Sequence, residues 1–217
     1  VKITEHKRRV KEEYNKRLKV QDSDYLVKTI AFFELSKKAF LQMELCPEGD
    51  ITNFDFDEQS VWKLIFDIGN ALYQLHSEGW MHLDVSPGNI LILNDMFKLA
   101  DFGTLTLIGE FEEGKEGAGP FVSPEALSYP HGPSVGAPTD IFSFGVVLLE
   151  AISKSLAPRG GCDGYAKLRK GELVLGSTGY PANCSDELKD LVNAMLFVDP
   201  QSRPTASDLA DIARTHI

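Results

Sequence analysis

WMHLDVSPGNILILNDMFKLADFG, residues 80–103, is the stretch that decides the fold. Asp84 follows His82 by two positions and Asn89 follows Asp84 by five. Asp101 opens an Asp-Phe-Gly triplet twelve residues after Asn89. Between these polar residues run Ile90-Leu91-Ile92 and Phe97-Lys98-Leu99, separated by Asn94-Asp95 as a turn. The pattern predicts loop, strand, hairpin turn, strand, loop.

Phosphoryl transfer from a nucleotide needs such a set. One carboxylate positions the attacking hydroxyl and accepts its proton; a carboxylate and an amide hold magnesium against the phosphates. Asp84 suits the first role, Asn89 and Asp101 the second. A lone Asp-Phe-Gly says little, whereas His-x-Asp-x4-Asn followed by Asp-Phe-Gly at this distance says much more. The bland alternative is a hairpin with acidic residues in its turns.

The chain around this stretch has 217 residues, 43% apolar and 25% charged, which describes a globular protein with enough sequence for a real core. Length alone allows one or two domains. A net charge of -10 and a pI near 5.0 argue against nucleic acid or an anionic membrane as bulk partner. Residues 7–19 nevertheless hold seven Lys or Arg, a local basic patch. Cys46, Cys162 and Cys184 are few and widely spaced, so the expectation is a reducing, intracellular compartment (nucleus or cytoplasm), with no disulfide framework and no zinc site. The longest apolar run, around Ile141 to Leu149, is too short to span a bilayer. The N-terminus is charged, carries no signal peptide and opens on Val rather than Met, which suggests a fragment.

Taken in order, Val1-Lys2-Ile3 reads as the end of a strand. Residues 7–20 read as a helix with a stripe of Val10, Tyr14 and Leu18. Tyr25-Leu26-Val27 with Ala31-Phe32-Phe33, and then residues 39–43, read as two strands joined by Ser36-Lys37-Lys38. A helix over 59–79 carries Val61, Leu64, Ile65, Ile68, Leu72 and Leu75 on one face; its His76 is read as structural. Residues 104–119 are rich in Gly and Glu and are expected to be mobile. Helices are expected over 140–153, 185–197 and 206–214, the last capped by Thr205, with loops at Gly160-Gly161 and Cys162-Asp163-Gly164.

These segments resemble the catalytic domain of eukaryotic protein kinases, and the His-Leu-Asp variant, with LQMELC and DIFSFGVVLLEA, is similar to the Wee/Myt cell-cycle inhibitory kinases. The resemblance runs over essentially the whole chain. It implies an α+β, bilobal protein-kinase-like fold: a truncated, β-rich N-lobe over 1–45, then a hinge and mainly helical C-lobe over 46–217. It implies ATP and Mg2+ as cofactors. Lys2 and Glu13, with Glu12 as the alternative, would hold the α- and β-phosphates; read alone, this segment is a solvated basic helix. Met43 would face the adenine, Glu44 and Cys46 would offer backbone groups to its edge, Gly49 would pass close to the ribose, and Leu91 would join this cofactor set. His82, Phe102 and Gly103 would be structural. Ser123-Pro124-Glu125 resembles the family's Ala-Pro-Glu, and 199–205 resembles DPxxRPT, so Arg203 would pair with Glu125. Asp140 would cap its helix and reach the catalytic loop.

The chain departs from the family at several points. The family's glycine-rich loop would precede Lys2, and no residues stand there. Position 17 is Arg where the family has an apolar or His side chain against the Phe of Asp-Phe-Gly. Gly117-Ala118 replaces Gly-Asp, and Pro120 replaces a basic residue. Ser86 and Gly88 leave the catalytic loop without a cation, a loss on the order of 10²–10³ in rate by analogy with one missing preorganised donor. The expected function is transfer of the ATP γ-phosphate to Thr, Tyr or Ser of a protein, with a cyclin-dependent kinase as the implied substrate. A pseudokinase scaffold is the rival reading.

Leu83 also bears on regulation. Where most kinases have an Arg that waits for a phosphorylated activation loop, this chain has an apolar side chain. Activity is therefore expected to survive phosphatase treatment, and a phosphatase-treated sample that loses all transfer would refute this.

Overall fold

Strand β1 (Lys2–Thr4), helix α1 (Lys7–Arg17) and strands β2 (Thr29–Leu35) and β3 (Lys38–Met43) form the strand-rich first part of the computed structural model. The structure describes residues 1–114, 117, 119–153, 162–176 and 184–217. β3 lies between its two neighbours and is antiparallel to both, with Leu41 opposite Lys2 on one side and Phe32 on the other. Side chains alternate across a strand. Ala39 and Leu41 are buried on the face where Phe32 meets Tyr14 of α1 at 5.7 Å, and Phe33 and Phe40 stack on the opposite face.

Two details differ from the sequence expectation. α1 ends at Arg17, and Leu18 is left 60% exposed. Its buried face is Val10, Glu13 and Arg17, not Val10, Tyr14 and Leu18, because the two charged side chains find partners inside. Tyr25-Leu26-Val27 does not begin β2. Leu26 is fully buried and bridges Leu99 instead, flanked by the bonds Val27 N–H to Leu99 O and Leu99 N–H to Tyr25 O, both 2.9 Å.

The rest is mainly helical. α2 (Glu58–Ser77) starts with a reciprocal cap between Asp57 and Ser60 and stops before Gly79, whose φ of +81° suits glycine. β4 (Trp80–Met81) pairs with β7 (Thr106–Leu107), and β5 (Ile90–Leu93) with β6 (Met96–Leu99). Asn94 and Asp95 have φ of 50° and 61°, the left-handed turn their sequence predicted. After α3 (Pro124–Ser128) comes α4 (Ala137–Ser153), buried continuously from Thr139 to Leu149. A helix apolar on every side belongs at the centre, and α2, α6 (Asp186–Met195) and α7 (Ala206–Ala213) supply much of one core around it. α4 begins three residues before the expected start, so Asp140 sits in its first turn and is not its cap.

Cys162-Asp163-Gly164 was expected in a loop but opens helix α5 (Cys162–Arg169). Tyr165 and Leu168 are buried in the core, and that packing overrides the poor helix propensity of Gly164. Gly160 and Gly161 lie outside the described residues. The Gly- and Glu-rich segment was expected to be mobile, yet Leu105, Thr106 and Phe111 are buried. The outcome is an α+β fold, β-rich at the start and helical thereafter. Among the described residues no helix is long and apolar enough to cross a membrane.

Candidate active site

The loop between β4 and β5 is held from below by one carboxylate. Asp140 is fully buried. Its Oδ1 accepts from the Leu83 amide at 2.7 Å; its Oδ2 accepts from the His82 amide at 2.8 Å and meets His76 Nε2 at 2.9 Å. Leu83 has φ +64°, a left-handed conformation that costs an L-residue roughly 1–2 kcal/mol. The two hydrogen bonds hold it there. Burial works against the charge on Asp140, but the bonds and charge of His76 and the His82 amide keep its carboxyl below the ordinary range.

Asp84 follows directly. Its amide donates to His82 Nδ1 at 3.2 Å, and His82 Nε2 meets the Ala100 carbonyl at 3.0 Å. Asn89 turns its amide nitrogen to the Asp84 carbonyl and to Asp84 Oδ2, both at 2.8 Å. That leaves the oxygen of the Asn89 side chain as an acceptor. Ser86 is buried and accepts the Asn89 amide on its carbonyl at 3.0 Å.

Asp101 is approached from the first part of the fold. Lys2 on β1 donates to both Asp101 oxygens at 3.1 Å and to Glu13 Oε2 at 2.9 Å. Glu12 instead pairs with Arg8 at 2.8 Å, so the partner of Lys2 is Glu13. Asp101 has φ +58° and accepts the Gly103 amide on its own Oδ1 at 3.2 Å. A side chain at Gly103 would begin 3.1 Å from that oxygen. Burial pushes the Glu13 carboxyl up against the pull of Lys2; burial also opposes the charge on Asp101, but Lys2 and the Gly103 amide hold it below the usual range. One ammonium between two carboxylates leaves net negative charge at this point. Hard oxygen donors with excess negative charge fit Mg2+, which is commonly held by one or two carboxylates plus substrate phosphates. No group of three His, Cys, Asp or Glu side chains that could hold a metal occurs among the described residues.

The predicted adenine-edge residues lie at the end of β3 and just beyond it. Met43 closes β3. Glu44 binds the buried Lys98 at 2.6 Å, a contact that follows from no sequence motif because Lys98 reads only as a strand residue. Cys46 is half-buried and accepts the Gly49 amide at 3.2 Å; Gly49 has φ +82°, and its carbonyl accepts from the Ile92 amide at 2.9 Å. Asp50 bridges Leu91. The hairpin that carries Asn89 and Asp101 is thus tied to this connecting segment.

Position 17 does face the Phe of Asp-Phe-Gly, as the resemblance implied, while the Leu83 cluster and the close approach of Gly117 escaped sequence reading. Arg17 lies over the ring of Phe102, and His82 meets the same ring edge-on at 5.8 Å. Leu83 packs with Met81, Phe111, Val122, Ala126 and Val135 in a separate apolar cluster. Gly117 lies so close to the loop that a Cβ would sit 2.5 Å from Asp84 Oδ1 and 2.8 Å from its Cα. Ala118 is outside the described residues. Arg203 meets Glu125 as predicted, with paired bonds of 2.7 and 2.9 Å, and further bonds to the Pro138 and Phe197 carbonyls satisfy it.

The protein kinase domain family matches residues 1–213. The chain is 32% identical to the membrane-associated tyrosine- and threonine-specific cdc2-inhibitory kinase wee-1.3 of Caenorhabditis elegans, covering 86% of this chain and 28% of that protein. It is 29% identical to the mitosis inhibitor protein kinase mik1 of Schizosaccharomyces pombe, covering 88% and 36%. With a Wee1-like protein kinase of Oryza sativa subsp. japonica it shares 32% identity, covering 82% and 33%. The chain therefore spans about a third of the length of these curated relatives.

The Glu125–Arg203 pair has a pH signature. Burial opposes the charge on Glu125, yet Arg203 and Thr139 hold its carboxyl below the usual value. A carboxyl lowered on folding stabilises fully above its unfolded pKa, about 4.3, and that contribution is lost as pH falls through the folded value. Glu125→Gln should cost about 3–5 kcal/mol at pH 7 by leaving Arg203 buried without its counter-charge. Urea unfolding should show the gap to wild type narrowing on acidification; a gap independent of pH would sink the assignment.

Proposed function

The chain belongs to the protein kinase domain family, and on that premise we propose that it is an ATP-dependent protein kinase of Wee/Myt type, acting on a Thr, Tyr or Ser hydroxyl of a protein. The reading rests above all on one arrangement: Asn89 is bonded twice to Asp84, while Lys2 joins Asp101 to Glu13. Residues 1–45 serve as the N-lobe and 46–217 as hinge and C-lobe. Asp84 orients the acceptor hydroxyl and takes its proton as the oxygen bonds to the γ-phosphorus and the bond to the β–γ bridging oxygen breaks, releasing ADP. Lys2, steadied by Glu13, binds the α- and β-phosphates. Asn89 and Asp101 would hold Mg2+, which would supply neutralisation of phosphate charge. Glu44 and Cys46 present backbone groups to the adenine, Met43 and Leu91 line it, and Gly49 lies near the ribose.

The relatives suggest the substrate. One is named for cdc2 inhibition and another for mitosis inhibition, so a cyclin-dependent kinase is the proposed target, in nucleus or cytoplasm. The scaffold reading has less support: these relatives are named as kinases, and a scaffold has no need to keep Asp84 bonded to Asn89 and Lys2 bonded to both Glu13 and Asp101.

Mg2+-dependent transfer to a protein substrate should be abolished in both Asp84→Asn and Asp101→Asn, while Asp84→Asn still binds nucleotide. Nucleotide binding with no transfer in wild type would instead establish the scaffold. Ser86→Lys should raise kcat, since the loop otherwise offers no cation to the moving phosphoryl; an unchanged rate would mean that the missing charge is not limiting. Gly117→Ala should lower kcat by up to about 10²-fold by displacing Asp84 or the segment over it, and wild-type turnover in that variant would disprove the close approach.

A further inference from the structure

Gly119-Pro120-Phe121-Val122 is an uncharged stretch whose carbonyls are held from outside it. Arg169, the last residue of α5, donates through Nε to the Val122 carbonyl at 2.8 Å. Its Nη2 donates to the Gly119 and Pro120 carbonyls, the second at 3.0 Å. The remaining carbonyl, that of Phe121, accepts from Ser143 Oγ of α4 at 2.8 Å. Four successive carbonyls are thus capped by two side chains of the helical part. A guanidinium suits this task, because its planar fork presents several N–H groups to separate oxygens at once.

The ring held in this way lines a cavity of about 500 Å³, a size that suits a bound side chain or small ligand. Phe54, Phe56, Val147 and Ala151 line it with Phe121, and so do Ser86, Pro87 and Gly88 of the loop that carries Asp84. Ser86 is two residues from Asp84, at most about 7 Å along an extended chain. A side chain a few positions from an acceptor hydroxyl at Asp84 therefore reaches this cavity.

The walls select for apolar chemistry. Phe56 and Val147 are buried, whereas the polar Thr52, Asn53 and Asp55 are exposed. The second carboxylate at the cavity, Glu150, accepts the Tyr165 hydroxyl on Oε1 at 2.6 Å, and burial pushes its pKa up. A carboxyl so engaged is a poor counter-charge for a lysine or arginine. Tyr165 lies one turn before Arg169, with its ring 6.0 Å from the guanidinium. One face of α5 thus reaches two walls of the cavity, Phe121 through Arg169 and Glu150 through Tyr165.

We propose that Arg169 is a positioning residue that sets substrate specificity: it holds residues 119–122 so that Phe121 walls the cavity, and the cavity takes an apolar side chain of the protein substrate a few residues from the acceptor. The proposal rests on the kinase reading for its kinetics, and peptide binding tests it without transfer.

The probes are peptides with one Tyr or Thr acceptor and Leu, Gly, Asp or Arg at each flanking position, read by transfer and independently by fluorescence anisotropy. In wild type, Leu at the matching position should lower KM and Kd about tenfold or more against Gly. Arg169→Ala should raise both for the Leu peptide to the values of the Gly peptide, with kcat and KM for ATP unchanged. Phe121→Ala should do the same, and the double variant should be no worse than either alone, since both act through one wall. Arg169→Lys keeps the charge without the fork and should recover part of the preference. If Arg169→Ala does not fold, Arg169→Lys and Phe121→Ala carry the comparison. A wild type that prefers Arg, shows no preference or binds none of the peptides would overturn the cavity assignment. Additive losses in the double variant would overturn the action of Arg169 through Phe121. So would losses that follow a lower unfolding temperature or fall on kcat alone. Absence of transfer with the Leu preference intact in binding would refute the kinase reading and leave the cavity assignment standing.

Discussion

Asp140 is the constraint on which the site depends. An irregular loop cannot hold a left-handed leucine by itself, because that conformation is uphill for any residue with a Cβ. The bonds must come from outside the loop, and they come from a carboxylate in the first turn of the most buried helix. Placing an ionised group there is costly unless every oxygen is satisfied. Two amides and His76 satisfy it. His76 lies on α2, so Asp140 joins α2, α4 and the loop that holds Leu83, and Asp84 is the immediate neighbour of Leu83. The geometry of the candidate base is thus a consequence of how the helical core closes.

Charge in the cleft follows a second logic. Lys2 is outnumbered by Glu13 and Asp101, and Asp84 adds a further carboxylate. A site of this sign repels a nucleotide phosphate tail unless cations intervene. The family's usual remedy in the catalytic loop is absent, since Ser86 and Gly88 carry no charge. Under the kinase reading, the burden of neutralising the transferred group shifts to Lys2 and to whatever cation Asn89 and Asp101 hold. Their precise placement then matters more than it would with a lysine at position 86. That gives a physical reason for gripping Asp101 and Phe102 from α1 at two levels, with Lys16 adding a third contact to the Leu105 carbonyl at 2.6 Å.

Much of this was legible in the sequence where chemistry and spacing coincide. Asp84, Asn89 and Asp101 could be paired with the β5–β6 hairpin because short strands have fixed reach, and Asn94-Asp95 marked the turn. Glu125 and Arg203 were found only by resemblance, as no local pattern joins residues 78 apart. What escaped was set by tertiary partners. The face of α1 was misread because periodicity counts apolar residues, while two of its three buried side chains are charged. Lys98 looked like a strand residue and proved to be a buried cation paired with the partly exposed Glu44. α5 forms where glycine argued for a loop, since Tyr165 and Leu168 have a core to reach.

Two kinds of contact surround the site. Leu83, Phe111, Val122, Ala126 and Val135 are each less than 7% exposed. Burying an apolar side chain of this size contributes about 1.5–3 kcal/mol, whereas an exposed ion pair contributes about 0–1. Contacts of this apolar kind are little affected by salt or by a change of charge at the surface. The contacts between α1 and the rest are of the other kind. Lys2, Arg17 and Lys16 make polar contacts, and Asp22 and Asp101 are partly or largely open to solvent. Such contacts respond to salt, to a bound cation and to the charge of a partner. The contacts that salt can weaken therefore lie along α1, while Phe111 is held by apolar burial.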